Sequence, residues 1–561
     1  MTHRLDPDVR WFLVGYAVVV PALLFPLFAT PVLPGLDLPF HLAIADMLEK
    51  SGATDSPYAE FYTPRLGPSV PALPWLLLAL LGKGLGPLVA LKLLVGLSIA
   101  ALPLSVAALA RAWGTAATPA LLAAPLGYHL GLHYGFFGYT LSLPVVFAVL
   151  AIAAHAGVGA NAEPRRPWTA LLLACASLLL FGLHLESYAL AGTAVVVMTV
   201  VARGSFRTKA ITLGAFVPSA ALFLLWHAGP TAHGAGAASR SVLTSLADLM
   251  ATRRAEQADL PLWRDLVAHV LGLRVHLLRG FRDGSDLAAS TWIVATWAAL
   301  ALASRHRELR ANPDHPYAKA RRATLAVVVL AYLVLPHHWD AYEVMSLSPR
   351  LAPVVVAAAI AALPVRSDWF LAEGTPRLLA RSVLVAPVFV GTGYAAALSR
   401  EYARYGTEVA DALSVLSRVP PGGRLVGLVS DGESRVMNVE SLARSFRAST
   451  WRSVRTPEAW WRFATAAWGT SRAPSVRRPY PHRTRGPRRP WTPSAPWPSS
   501  TTPWSNDRRR RARTRSSARA ETLAERIVGR VQVAAREVGT PRPSRGTCAP
   551  SCPPSNATHL G

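Results

Sequence analysis

Residues 11–33 read WFLVGYAVVVPALLFPLFATPVL, with no charge anywhere in the stretch. A helix needs about 20 predominantly apolar residues to cross the hydrocarbon core of a bilayer. No small-residue cleavage site follows, so the stretch reads as a retained first span rather than a signal peptide. Outward from it the pattern repeats. Apolar runs stand at 86–110, 118–134, 137–156, 168–184, 187–202, 210–228, 288–304, 323–337, 350–365 and 382–398, cut by short Arg-bearing loops. The predicted fold class is therefore an all-α polytopic transmembrane helix bundle of about 11 spans, filling residues 1–399.

Loop charge orients this bundle. Arg4 and Arg10 precede the first span. Arg165/Arg166, Arg203/Arg207/Lys209, the Arg305–Arg322 loop and Arg366/Arg377/Arg381 form the other basic clusters. The positive-inside rule places them in the cytoplasm, which predicts a bacterial-type inner (plasma) membrane protein with its N-terminus cytoplasmic and its C-terminus external. The apolar stretch 70–82 is too short to span and would break this parity, so it is assigned to the outer interface. External loops then cover 34–85 and 229–287. In the second, Trp263, Leu266, Val267 and Val270 predict amphipathic helices lying on the membrane.

Residues 400–440 read as the start of a small, incomplete external α/β segment. Glu401–Arg418 has helical periodicity, Pro420-Pro421-Gly422-Gly423 makes a turn, and Arg424–Val429 reads as a strand. From 441 to 561 the pattern is lost. Residues 400–561 hold 29 Arg and no Lys against 11 Asp plus Glu, which accounts for most of the chain's formal +26. The extreme charge is thus a property of the tail. A disordered Arg/Pro-rich segment with an anionic partner is one reading. Translation in a shifted frame of GC-rich DNA is the other, favoured by the absence of Lys and the predicted external location. The membrane body implies membrane lipid as a partner and no specific nucleic acid.

Metal, phosphate-loop and nucleophile signatures are missing. Cys175, Cys548 and Cys552 fit no disulfide framework and no zinc spacing, even with His559. No Gly-rich loop ending in Lys-Ser or Lys-Thr and no serine elbow occurs. What remains is a set of polar groups at predicted outer turns: Asp37 and His41; His129, His133 and Tyr134; His184 and Glu186; His227 and His233; and His337, His338, Asp340, Glu343 and Arg350. Ionisable groups beside membrane spans are costly and invite a functional reading. Each also has a plainer one. Asp37 suits the N-cap of a helix over Leu38–Leu48, a histidine at a span end serves as an interfacial anchor, and Arg350 can snorkel.

An early Asp37 with His41 in the first external loop, the stretch Tyr134-Gly135-Phe136-Phe137-Gly138-Tyr139 and the entry Ser348-Pro349-Arg350-Leu351 to a late span together resemble the GT-C class of membrane glycosyltransferases over residues 1–440. The resemblance implies a polyprenyl-phosphate-linked sugar as donor and transfer to an acceptor on the outer face. By position Asp37 corresponds to the carboxylate that takes the acceptor proton. Sidedness makes His41, His184, Glu186, His337, His338 and Arg350 the candidates for holding substrate, Arg350 as a fork for phosphate oxygens. Many members carry an acidic pair in this loop; here Leu38 follows Asp37, and no metal set is assigned. Two other readings stand beside it. A transporter or export component would place its ionisable groups nearer the membrane midplane. A frame break would make the chain a truncated, inactive product.

Overall fold

The computed structural model describes residues 6–51, 58, 63–64, 66–67, 71–157, 167–228, 242–257, 261–278, 284–305, 310–312, 315–339, 344–368, 375–417 and 468–469. The chain enters the bundle through α1 (Pro7–Phe28), with Pro7 at its first position and Asp6 capping the Asp8 amide. Asp8 itself is fully buried and reaches across to a second segment. Its carboxylate accepts from the Ala117 amide at 2.5 Å, the Thr118 amide at 3.1 Å and the Thr118 hydroxyl at 2.6 Å. These bonds cap the 3-10 segment Thr118–Tyr128 from another helix, and Arg111 pairs with Asp6 at 2.7 Å alongside.

After α1 come α2 (Leu38–Lys50), α3 (Leu73–Leu85), α4 (Pro87–Ala112), α5 (Leu130–Tyr134), α6 (Phe137–Gly157), α7 (Pro167–Leu183), α8 (Leu185–Val201), α9 (Phe206–Gly214) and α10 (Val217–Ala228). Then follow α11 (Val242–Gln257), α12 (Leu262–Leu277), α13 (Ser285–Ala303), α14 (Ala318–Val334), α15 (Leu347–Arg350), α16 (Ala352–Ala361) and α17 (Thr375–Ser417). One continuous apolar core joins most of them: α4 packs on α6 and on the 3-10 segment, α1 on α17, and α14 on α8. Large apolar side chains such as Phe25, Leu97, Val200 and Leu330 face outward, as lipid-facing helices do.

Among the described residues four helices are long and apolar enough to cross a membrane: Pro7–Phe28, Pro87–Ala112, Phe137–Ala156 and Ser285–Ala303. A fifth arises if α9 and α10, bent by 45°, form one broken span. That is fewer than the expected eleven. The run 118–134 carries Pro119 and Pro125, which remove backbone donors, and it folds as a 3-10 segment followed by the five-residue α5. The run 350–365 splits at Leu351 into α15 and α16. The runs 168–184 and 187–202 become the short apolar helices α7 and α8, and 70–82 becomes α3, of 13 residues.

The last span and the expected helix from Glu401 form a single element. α17 runs without a break from Thr375 to Ser417, and Tyr402, Tyr405 and Val409 are buried in the same core as α1. The strand over 424–429 and the Arg-rich tail lie outside the described residues. From that region only Trp468–Gly469 is described, pairing antiparallel with Thr63–Pro64.

Candidate functional site

The segment Tyr134–Tyr139 is the hub on which the predicted site residues converge. Gly135 is in the left-handed conformation at φ 85°, and a Cβ there would stand 2.5 Å from the Asp37 nitrogen. Only glycine permits both the torsion and the approach. Through this turn the Leu36 amide donates to the His133 carbonyl at 3.0 Å and the Asp37 amide to the Tyr134 carbonyl at 3.2 Å. Asp37 thus docks on the α5–α6 turn, more than ninety residues away in sequence. It occupies the N-cap position of α2, yet its carboxylate accepts no capping hydrogen bond.

His41 lies one turn further and is fully engaged inside the protein. Trp75 donates its indole N–H to His41 Nδ1 at 2.8 Å. The ring proton therefore sits on Nε2, which donates to the Gly135 carbonyl at 2.8 Å. Phe137 and Trp75 flank the ring. Burial holds the imidazole down at about 4, so it is neutral near neutral pH. His41 fixes α2 and α3 to the hub.

The other end of the hub carries a charged cluster. Arg350, from α15, lies over the Phe136 ring with its guanidinium carbon 3.7 Å from the centroid. Its Nη1 donates to both carboxylate oxygens of Glu186 at 3.2 Å. Arg350 Nε is buried and has no partner among the described residues. Tyr139 donates its hydroxyl to the Arg350 carbonyl, so α6 holds the backbone as well as the side chain's platform. His184 caps α8 by accepting from the Ser187 amide through Nδ1, and its Nε2 stands 4.0 Å from Glu186. Gly138 makes room for this: a Cβ there would stand 2.7 Å from the Leu183 carbonyl. His184, Glu186 and Arg350 are thereby brought together from the α7–α8 turn and α15.

His337 reaches the same loop from its other side. A hairpin pairs His338 with Met345 and Trp339 with Val344, and Ser346 at φ 57° turns the chain into α15. The Leu347 amide donates to the His337 carbonyl at 2.9 Å, and His337 Nδ1 bonds the Ser348 hydroxyl at 2.8 Å. His337 therefore shapes the turn that carries Arg350. His338 is placed in the hairpin strand. Asp340 and Glu343 lie outside the described residues.

A second polar cluster supports this loop, and composition alone gave no sign of it. Arg253, 4% exposed, pairs with Asp265 at 2.5 Å and Glu256 at 3.6 Å and donates to the Leu333 carbonyl at 3.1 Å. Glu256 accepts the His337 amide at 2.9 Å. His269 and His276 stack edge-on against His337. The chain Asp265–Arg253–Glu256–His337–Ser348 thus runs from the α11–α12 pair to within two residues of Arg350. The signal in the sequence is the i, i+4 pair Asp265/His269 in α12.

Among the described residues no group of three or more His, Cys, Asp or Glu side chains could hold a metal ion. No protein-family model matches the chain, and no curated protein is similar to it in sequence. Two solved structures are similar in fold. ArnT from Cupriavidus metallidurans, bound to undecaprenyl phosphate, is 15% identical at a TM-score of 0.46, covering 79% of this chain and 85% of ArnT. The arabinofuranosyltransferase AftD from Mycobacteria is 19% identical at a TM-score of 0.41, covering 75% of this chain and 29% of AftD. At these values the likeness carries no residue-level correspondence.

Proposed function

We propose that this chain is a membrane glycosyltransferase of GT-C type, moving a sugar from a polyprenyl-phosphate donor to a hydroxyl acceptor at the outer face of the inner membrane. The observation that carries the reading is the hub. One six-residue turn holds Asp37 at one end and the Arg350–Glu186–His184 cluster at the other. Transfer needs a base for the acceptor proton and a cation for the phosphate that leaves. Asp37, docked by its backbone on the hub turn, is the base. Arg350 binds the donor phosphate through the guanidinium nitrogens that Glu186 does not engage, Nε among them.

His41 and His337 are positioning residues in this reading, since both imidazoles are bonded within the protein. His184 orients Glu186, and His338 frames the Arg350 loop. The topology of about eleven crossings, with the hub external, belongs to the same proposal; short helices such as α7 and α8 then complete spans beyond the four or five long ones. An export component is the second reading, but the candidate residues Asp37, His184, Glu186 and Arg350 stand at helix ends rather than in the middle of the long apolar helices.

Asp37→Asn tests the proposal. Untargeted mass spectrometry of membrane lipids should show one polyprenyl-phosphate sugar accumulating in cells carrying Asp37→Asn relative to wild type. Transfer should fall roughly 10²- to 10⁴-fold, the range expected for loss of a general base. Wild-type transfer by correctly inserted Asp37→Asn would remove the base role.

A further inference from the structure

We infer that Glu186 sets which phosphate the Arg350 site retains, favouring a singly charged phosphodiester over a doubly charged phosphomonoester. The inference rests on the donor-phosphate reading of Arg350 given above. A guanidinium and a carboxylate at their best make two parallel bonds of about 2.7–2.9 Å from two nitrogens. Here a single nitrogen, Nη1, serves both Glu186 oxygens, each at 3.2 Å. Nε is buried without a partner among the described residues, and the guanidinium is held over the Phe136 ring. The pair is neutral as a whole, yet the donor edge suited to a two-oxygen ligand is unused.

A ligand on that edge meets one positive charge with one negative charge beside it. A phosphodiester carries a single charge, which Arg350 answers. A phosphomonoester carries close to two at neutral pH and above. Its second charge is unmatched and is repelled by the Glu186 carboxylate, in a half-buried setting where such repulsion is poorly screened.

The transfer step converts the first species into the second. The acceptor oxygen bonds to the anomeric carbon as that carbon's bond to the phosphate oxygen breaks. The electron pair leaves with the phosphate, which becomes a phosphomonoester, and the acceptor proton passes to the Asp37 carboxylate. Glu186 therefore tolerates the donor and weakens the hold on the lipid phosphate left behind. It is a specificity-determining residue that favours product release.

The test measures binding of undecaprenyl phosphate and of its monomethyl ester to the detergent-purified full-length protein at about pH 8, where the monoester is a dianion. Glu186→Gln keeps an oxygen for Nη1 and removes the charge. It should tighten binding of the monoester about tenfold and of the methyl diester about threefold, shifting the ratio between them. Glu186→Asp keeps the charge and should hold the wild-type ratio, which preserves the test if Glu186→Gln fails to fold. Arg350→Gln should lose both ligands. An unchanged ratio in Glu186→Gln, or a shifted ratio in Glu186→Asp, with binding still dependent on Arg350, overturns the inference and leaves the donor reading standing. Absence of binding to wild type, or full binding to Arg350→Gln, overturns the donor reading and the inference with it.

Discussion

The hub at Tyr134–Tyr139 and the helix pair α11–α12 both hold the candidate site, by opposite means. The hub works through backbone and rings: glycine torsions, carbonyls accepting from Asp37 and His41, and Phe136 under Arg350. The α11–α12 pair works through buried charge, with Arg253 clamped between Asp265 and Glu256. Close backbone packing tolerates no added atom, whereas a buried ion network tolerates no missing partner. The two regions should therefore fail differently when altered.

The largest effect is expected at the ion network. Arg253→Met leaves Asp265 and Glu256 without their cation and should cost about 3–5 kcal/mol, read as a lowered midpoint of thermal unfolding in detergent. If the protein loses under about 1 kcal/mol, the network is peripheral and the contrast collapses. At the hub, Gly135→Ala puts a methyl against the Asp37 backbone in a left-handed conformation. A cost of about 3 kcal/mol is expected, with Asp37 displaced. A crystal or cryo-EM structure of Gly135→Ala with the Asp37–Tyr134 bond intact would show that the hub has slack.

The pH response separates the regions further. His41 in the folded protein titrates at about 4, below its ordinary 6.5. Between those values the unfolded chain binds the extra proton. Stability is then complete above about pH 6.5 and declines as pH falls toward 4, by about 3 kcal/mol at most. His41→Gln should flatten that part of the stability–pH curve; an unchanged slope would assign it to another group. The smallest effect is expected for Trp75→Phe, which removes one hydrogen bond to His41 Nδ1 and should cost about 1 kcal/mol.

The same contrast explains what the sequence could reveal. Apolar runs announce helices and the early Asp37 announces a turn, because both are local signals. The stretch Tyr134–Tyr139 stood out only as part of a family resemblance, and its glycines gave no sign that Asp37 docks against Gly135. The span count was not legible, because Pro119 and Pro125 turn an apolar run into a 3-10 segment with the same composition. Nor was the support beneath Arg350. α12 exposes Trp263 (61%) and Val270 (61%) and buries Asp265 (6%) and His269 (6%). Trp263 and Val270 look outward while Asp265 and His269 turn inward, the reverse of what those residue types do in a soluble amphipathic helix. Composition reports that a helix has two faces but not which one is buried. Likewise, nothing in the spacing shows that His41 turns inward to Trp75 and Gly135.

The decisive measurement is a structure of the protein with undecaprenyl phosphate. The phosphate should sit on the Nε/Nη2 edge of Arg350, above Phe136, with the hub turn between it and Asp37. A lipid phosphate lodged among the helices away from Arg350, as along a transport path, would contradict the proposed function.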